Sequence, residues 1–235
     1  VEASGVKRFW TEARAVEQAD GWSIMLDGRP LKTPARALLV LPKATLSDTV
    51  VAEWNAAPET VNPRAMPMTG LANAAIDRVV PDRPAFATGL ARYAEADLLC
   101  YRADNPAKLV DRQAVRWDPL LAWARRRFDV DFEVTNAITH VDQPATTVAR
   151  LAHQLLVLDP FRLAALSPII TIGGSLVTAL ALVEGAVGFD EAWAALSLDE
   201  EWQIEQWGDD AEAVAALANK RRDVAAAVRF IELLD

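Results

Sequence analysis

The sequence predicts an α+β chain: a small N-terminal antiparallel β domain followed by a larger, mostly α-helical C-terminal domain. Three observations predict it. Up to Pro42, apolar and polar residues alternate with period two between Asp-Gly pairs, the pattern of half-buried strands joined by tight turns. After Pro42 the apolar spacing becomes helical and stays so. Finally, 44 of the 235 residues are alanine, which carries no helix penalty and lets helices pack closely. A chain of this length suits one large or two small domains, and we divide it into 1–60, rich in β, and 61–235, helical.

Each element has its own signal. Trp22, Ile24 and Leu26 alternate with Ser23, Met25 and Asp27, flanked by the hairpin pairs Asp20-Gly21 and Asp27-Gly28. A further strand is expected over 37–41. Leu46, Val50 and Trp54 then make one face of a helix that stops before Pro58. The three prolines Pro58, Pro63 and Pro67 mark a connection, and a helix is expected over 70–79. Phe86, Leu90, Tyr93, Ala94, Leu98 and Tyr101 form one helical stripe. Asn105-Pro106 and Asp118-Pro119 both read as helix starts with proline in the first turn, so helices are expected over 106–116 and 119–128. Val130, Phe132 and Val134 alternate as a short strand. Asp142 opens a helix with Val148, Leu151, Leu155 and Leu158 inward, and Asp159-Pro160 opens another. Ser197 followed by Glu200 matches a capping box. A last helix from Asp210 carries Val214, Leu217, Arg221, Val224, Val228 and Ile231 along one face.

Composition narrows the function. Hydrophobic residues at 52% and charged ones at 24% exclude a disordered or collagen-like chain. A net charge of −9 disfavours nucleic acid and favours basic partners or simple solubility. Cys100 is the single cysteine, so no intrachain disulfide and no cysteine-based zinc site exists, and a reducing compartment fits. Val1 to Trp10 hold no basic stretch followed by an apolar run, and Glu2, Glu12 and Glu17 argue against an Arg-rich presequence. Leu163 to Val183 carry no charge, yet Pro168, Gly173-Gly174 and four hydroxyl residues argue for a short helix to Ser167, a break, and a buried helix from Gly174 rather than a membrane span.

No catalytic motif appears. His140 and His153 are not part of a cluster, and Ser175 lacks the second glycine of a nucleophile elbow. No phosphate loop and no dinucleotide fingerprint is present. Asp97 on the apolar stripe reads first as a carboxylate satisfied inside the fold, for instance by an arginine, with Arg221 a candidate partner; the alternative is a carboxylate that faces a binding partner. The densest acidic segment is Asp199, Glu200, Glu201, Glu205, Asp209, Asp210 and Glu212, interleaved with Trp202 and Trp207. Acids at a helix start complement its dipole, while acids beside tryptophan make a docking patch for a basic, partly apolar surface; the residues alone leave both open.

Several phrases together resemble one family: Arg8-Phe9-Trp10, Leu26 to Pro34, Glu53-Trp54, Met66-Pro67-Met68-Thr69, Ala75-Ile76-Asp77, Asp97 to Arg102, Gln113 with Trp117 to Leu121, and Glu201-Trp202-Gln203 through Trp207-Gly208. In this order they resemble the Atp-twelve family, assembly chaperones for the α subunit of F-type ATP synthase. The resemblance implies a cofactor-free monomer that binds free α subunit, shields the surface that later meets the β subunit, and releases it as the hexamer forms. The family occurs in mitochondria and in some bacteria; with no presequence visible in Val1 to Trp10, a bacterial cytoplasm is expected, or a mitochondrial matrix if the protein is eukaryotic. It places a sensitive carboxylate at Asp199, Glu200 or Glu201, with Trp202, Glu205 and Trp207 beside it, and leaves Arg29 and Lys32 free to face a partner. One departure is visible: Asn55-Ala56-Ala57 stands where members usually carry a glutamine. The competing classes are a small-molecule enzyme with a site between the two domains and a membrane-surface protein using residues 163–183.

Overall fold

The computed structural model describes residues 7–137, 139–208 and 210–235. A small antiparallel sheet opens the chain and helices form most of the remainder, as the sequence predicts. The strands are β1 (Ala13–Gln18), β2 (Gly21–Leu26), β3 (Arg29–Pro30) and β4 (Val40–Leu41). β2 is central: β1 pairs along its length, from Ala13 opposite Leu26 to Gln18 opposite Gly21. β3 pairs with its C-terminal end and β4 with its N-terminal end. The β2–β3 loop is Asp27-Gly28, with φ of 46° and 79°, the left-handed pair that a two-residue hairpin needs. Asp27 does more than turn. Its carboxylate accepts from the Thr11 and Glu12 backbone N–H groups, which hold its pKa below the ordinary range.

The helices are α1 (Ala44–Ala56), α2 (Pro67–Ala74), α3 (Arg83–Ala91), α4 (Ala107–Phe128), α5 (Ala145–Leu156), α6 (Pro160–Gly173), α7 (Leu176–Val183), α8 (Phe189–Leu196), α9 (Leu198–Trp207) and α10 (Ala211–Glu232). The described chain divides into two compact units. The first takes in the residues through Arg83 together with Asp159–Ala165 and Arg229–Asp235; the second takes in Pro84–Leu158 and Leu166–Val228. The first unit thus gathers distant sequence: Thr45 donates to the Leu233 carbonyl at 2.7 Å, and Phe161 stacks on Phe230.

Within the first unit the family phrases bond to one another. Arg8 donates to the carbonyls of Trp10 and Ala57, at 3.1 and 2.8 Å. Asp77 holds the loop after β3 by accepting from the Thr33 hydroxyl and the Ala35 N–H. Asn55, at the departure from the family pattern, grips both the N–H and the carbonyl of Ala13. Glu53 caps α2, accepting from Met68 N, Thr69 N and the Thr69 hydroxyl at 2.7–2.8 Å. Burial raises the Glu53 pKa, and these three donors oppose the rise. Glu53→Ala is expected to cost ~1–2 kcal/mol by stripping the first turn of α2 of its cap. Urea unfolding followed by circular dichroism checks this, and a change under a few tenths would mean water replaces the cap.

In the second unit the structure corrects several local expectations. The stripe from Phe86 to Tyr101 is not one helix: α3 ends at Ala91, a single 3-10 turn covers Arg92–Ala94, and a second starts after Asp97. α4 is continuous through Pro119 rather than split. Trp117 is fully buried inside that helix and donates from its indole to the Ala195 carbonyl at 2.8 Å, so packing holds the helix across the missing N–H. Val130 and Phe132 are buried as expected, but the segment joins no strand. Gln143 instead serves both backbone groups of Glu133, and Thr147 accepts from Asp131 N and donates to Asp131 O. α5 is preceded by Pro144 and starts at Ala145 rather than opening at Asp142.

α6 opens at Asp159 as predicted, the carboxylate accepting from Phe161 N and Arg162 N. It runs through Pro168 and breaks at Gly174, whose φ of 70° is a left-handed conformation suited to glycine. The Ser197 capping box does not form. The Ser197 hydroxyl lies 2.7 Å from both the Trp193 carbonyl and the Glu201 carboxylate, so it joins the end of α8 to Glu201 rather than capping α9 against Glu200. No helix among the described residues is long and apolar enough to cross a membrane.

Candidate functional site

α10 begins with Ala211, Ala213, Ala215, Ala216 and Ala218. Thin side chains were expected to draw helices together, but here they leave hollows against α9. One groove of about 720 Å³ is lined by Glu200, Gln203, Ile204 and Trp207 of α9 and by Ala213, Ala216, Leu217 and Lys220 of α10. A second hollow of about 480 Å³ involves Trp193, Glu201, Ile204, Val214, Leu217 and Arg221. The α10 stripe is therefore buried only in its later half. Val224 and Ile231 are buried, whereas Val214 is 41% exposed and Arg221 points to Asp190 at 2.8 Å.

Trp207 stands out on this face. All eight tryptophans are described, and it alone is exposed, at 82%. Trp10, Trp117 and Trp193 are buried, and the remaining four are partly covered. Ile204 and Leu217 continue the apolar surface from Trp207 into the groove.

The acidic residues are less free than their run suggests. Asp199 accepts from the Gln113 side chain at 2.8 Å, and the other end of that amide accepts from Ala103 N. Glu200 pairs with Lys220. Glu201 meets Ser197. Glu205 lies 2.7 Å from Arg112, a contact that lowers the Glu205 pKa and raises that of Arg112. The same guanidinium sits 4.9 Å from the centre of the Trp202 ring. Glu200, Lys220, Arg112 and Glu205 remain partly accessible, so the face offers charge of both signs around an apolar centre. Asp209 lies outside the described residues, as do Glu2 and its neighbours at the chain start.

The other predicted positions sit in the first unit. Arg29 and Lys32 are both exposed. Lys32 borders an apolar cavity of about 370 Å³ whose walls include Phe9, Trp10, Leu31, Trp54, Val61 and Met66. Sequence reading missed this cavity. The signal was present in the tryptophans and Phe9 of the family phrases, but periodicity marks such residues only as core.

The residues considered for catalysis have other partners. His140 contacts the Tyr101 hydroxyl and Asp142, and His153 is exposed. Ser175 is buried, its hydroxyl accepting from Thr178 N at the start of α7. Burial pushes the Cys100 thiol up to about 12, which leaves it protonated. Among the described residues no group of histidine, cysteine and acidic side chains is placed to hold a metal ion. Asp97 receives no arginine. It is inaccessible and accepts from Leu99 N at 3.1 Å and Val177 N at 3.0 Å, joining the turn it begins to the first turn of α7.

This arrangement is one of two compact units carrying exposed aromatic and apolar hollows, suited to contact with another macromolecule. Residues 7–125 match the family model described as ATP12 chaperone protein, and the chain belongs to that family. It is similar to Atp12 from Paracoccus denitrificans, at 38% identity and a TM-score of 0.91, over 97% of this chain and 98% of that one. A solved protein of Agrobacterium tumefaciens is 41% identical over 97% of this chain and 86% of that one, also with a TM-score of 0.91. Among curated proteins, mitochondrial atp12 of Schizosaccharomyces pombe is 27% identical over 96% of this chain and 83% of its own length.

Proposed function

We propose that this chain is an assembly chaperone for the free α subunit of F-type ATP synthase, covering the surface that will meet the β subunit and yielding it when β arrives. The observation that carries the reading is the α9–α10 face, where Trp207 stands exposed beside Ile204 and Leu217 within a frame of paired charges. An obligate subunit interface is large and apolar, so it aggregates when bare. A chaperone for it needs an aromatic anchor for hold and a charged rim that a better partner can outcompete. Family membership supports the same reading. We place the chain, as a monomer without cofactor, in a bacterial cytoplasm or a mitochondrial matrix.

The test is co-expression with tagged α subunit, followed by size-exclusion chromatography with light scattering. A one-to-one complex that dissolves on adding β subunit is expected. Trp207→Ser and Ile204→Asp should each weaken that complex about tenfold or more, as anchor residues do. Glu200→Lys sets a second cation against Lys220; it should weaken binding while moving stability by less than ~1 kcal/mol, since the pair is half exposed. If the three variants bind α as the parent does, the face is not the contact. If α remains aggregated beside unaltered parent chain, the chaperone reading fails.

A further inference from the structure

The cavity of the first unit has a chemistry that its own residues leave unfinished. Its walls are apolar: Leu31, Val61 and Met66 with the rings of Trp10 and Trp54, which lie 4.8 Å apart. Trp10 satisfies its indole by donating to the Trp54 carbonyl. Trp54 does not: its indole nitrogen is buried and meets no acceptor among the described residues. A buried N–H without an acceptor is costly, and a turn of the Trp54 ring toward the cavity would let an incoming oxygen satisfy it. At the edge stands Lys32, exposed and without an ion-pair partner among the described residues. Phe9, packed edge-on against Trp10 and 72% exposed, extends the apolar surface beyond the cavity onto the open face.

We infer that this cavity is a peptide-binding site that takes a bulky apolar side chain from an extended segment with an acidic residue beside it. The side chain fills the hollow, the Trp54 ring turns so that a carbonyl of the segment accepts from its indole N–H, and the acid meets Lys32. A volume of about 370 Å³ suits one large side chain with its backbone. The exposed Phe9 favours a protein segment over an enclosed small molecule, because aromatic rims mark protein contacts. The site belongs to the first unit alone and stands whether or not the α9–α10 face takes the α subunit.

The test titrates the full chain, labelled with nitrogen-15 at its tryptophan indoles, with N-acetyl-phenylalanyl-glutamate amide. The Trp54 indole resonance, assigned from Trp54→Phe, is expected to move downfield and saturate. Lys32→Glu, or a probe with lysine replacing glutamate, should weaken binding about tenfold. Trp54→Phe removes the N–H while keeping an aromatic ring, and should weaken the probe without altering the far-ultraviolet spectrum. Absence of a saturable shift at millimolar probe overturns the site. Equal affinity for the lysine probe overturns it as well. Decanoate binding tenfold tighter than the peptide would make the cavity a lipid-chain site and overturn the peptide assignment.

Discussion

Asp97→Ala should destabilise the chain by ~3–5 kcal/mol, because it leaves buried backbone donors without an acceptor. The carboxylate is inaccessible and divides its oxygens between Leu99 N and Val177 N. Ser175 caps Thr178 N in the same first turn of α7, so Asp97 and Ser175 together satisfy the helix start. Asp97→Asn should recover only part of the loss, since an amide NH₂ would face one of the two donors. Chemical unfolding monitored by circular dichroism measures the effect, and a loss under ~1 kcal/mol would mean that other acceptors reach these groups.

The same residue sets a pH dependence. Burial raises the Asp97 pKa from 3.8 to about 6, against the pull of its hydrogen-bond donors. A carboxyl with a raised folded-state pKa takes up its proton earlier in the folded than in the unfolded chain. Its stabilising contribution is therefore full below the unfolded value and is lost as pH rises through about 6. The parent's advantage over Asp97→Ala should be smallest above pH ~6 and grow by up to ~3 kcal/mol on acidification to pH ~4. Unfolding curves of both chains at matched pH values read this directly; an advantage that shrinks on acidification contradicts it.

Trp117→Ala should cost a comparable ~4–5 kcal/mol, combining a large cavity with an orphaned carbonyl. The indole is the largest fully buried side chain of the molecule's described part, bonded to Ala195 O and covered by the Arg102 guanidinium 5.1 Å from its ring centre. Arg102 is fixed in turn by the Leu99 carbonyl at 2.7 Å and by Asp118 at 2.8 Å. Trp117→Phe keeps most of the packing and should lose ~1–2 kcal/mol. The substitution also reaches the candidate docking face, since α4 carries Arg112 and Gln113, the partners of Glu205 and Asp199. Trp117→Ala chains that remain folded should bind α subunit more weakly than Trp117→Phe chains. Equal binding would show that α9 keeps its place without this anchor.

Much of this was legible locally. The Asp27-Gly28 hairpin, the buried face of α1 and the Asp159 cap of α6 all follow from residues within a few positions of one another. Their energies are local, so the sequence states them directly. The order of the family phrases was equally plain, and the structure gives a reason for several: Glu53 caps the phrase beginning at Met66, and Asp77 ties down Thr33 and Ala35. The composition of the candidate docking face was visible as acid and tryptophan in one run.

Long-range packing accounts for the rest. Pro119 and Pro168 each weaken a helix locally, yet both helices continue because buried packing on either side outweighs one missing hydrogen bond. The stripe through Asp97 breaks because a carboxylate there satisfies a donor 80 residues away, which no periodicity records. The acidic run reads as free charge until Gln113, Lys220 and Arg112 arrive from 86, 20 and 93 residues away to engage Asp199, Glu200 and Glu205. Local patterns were enough to mark most strands and helices, and the order of the phrases was enough to name the family. Which tryptophan is left in solvent and which acids are already paired emerged only from the packed chain, because those outcomes depend on groups that meet through folding rather than along the sequence.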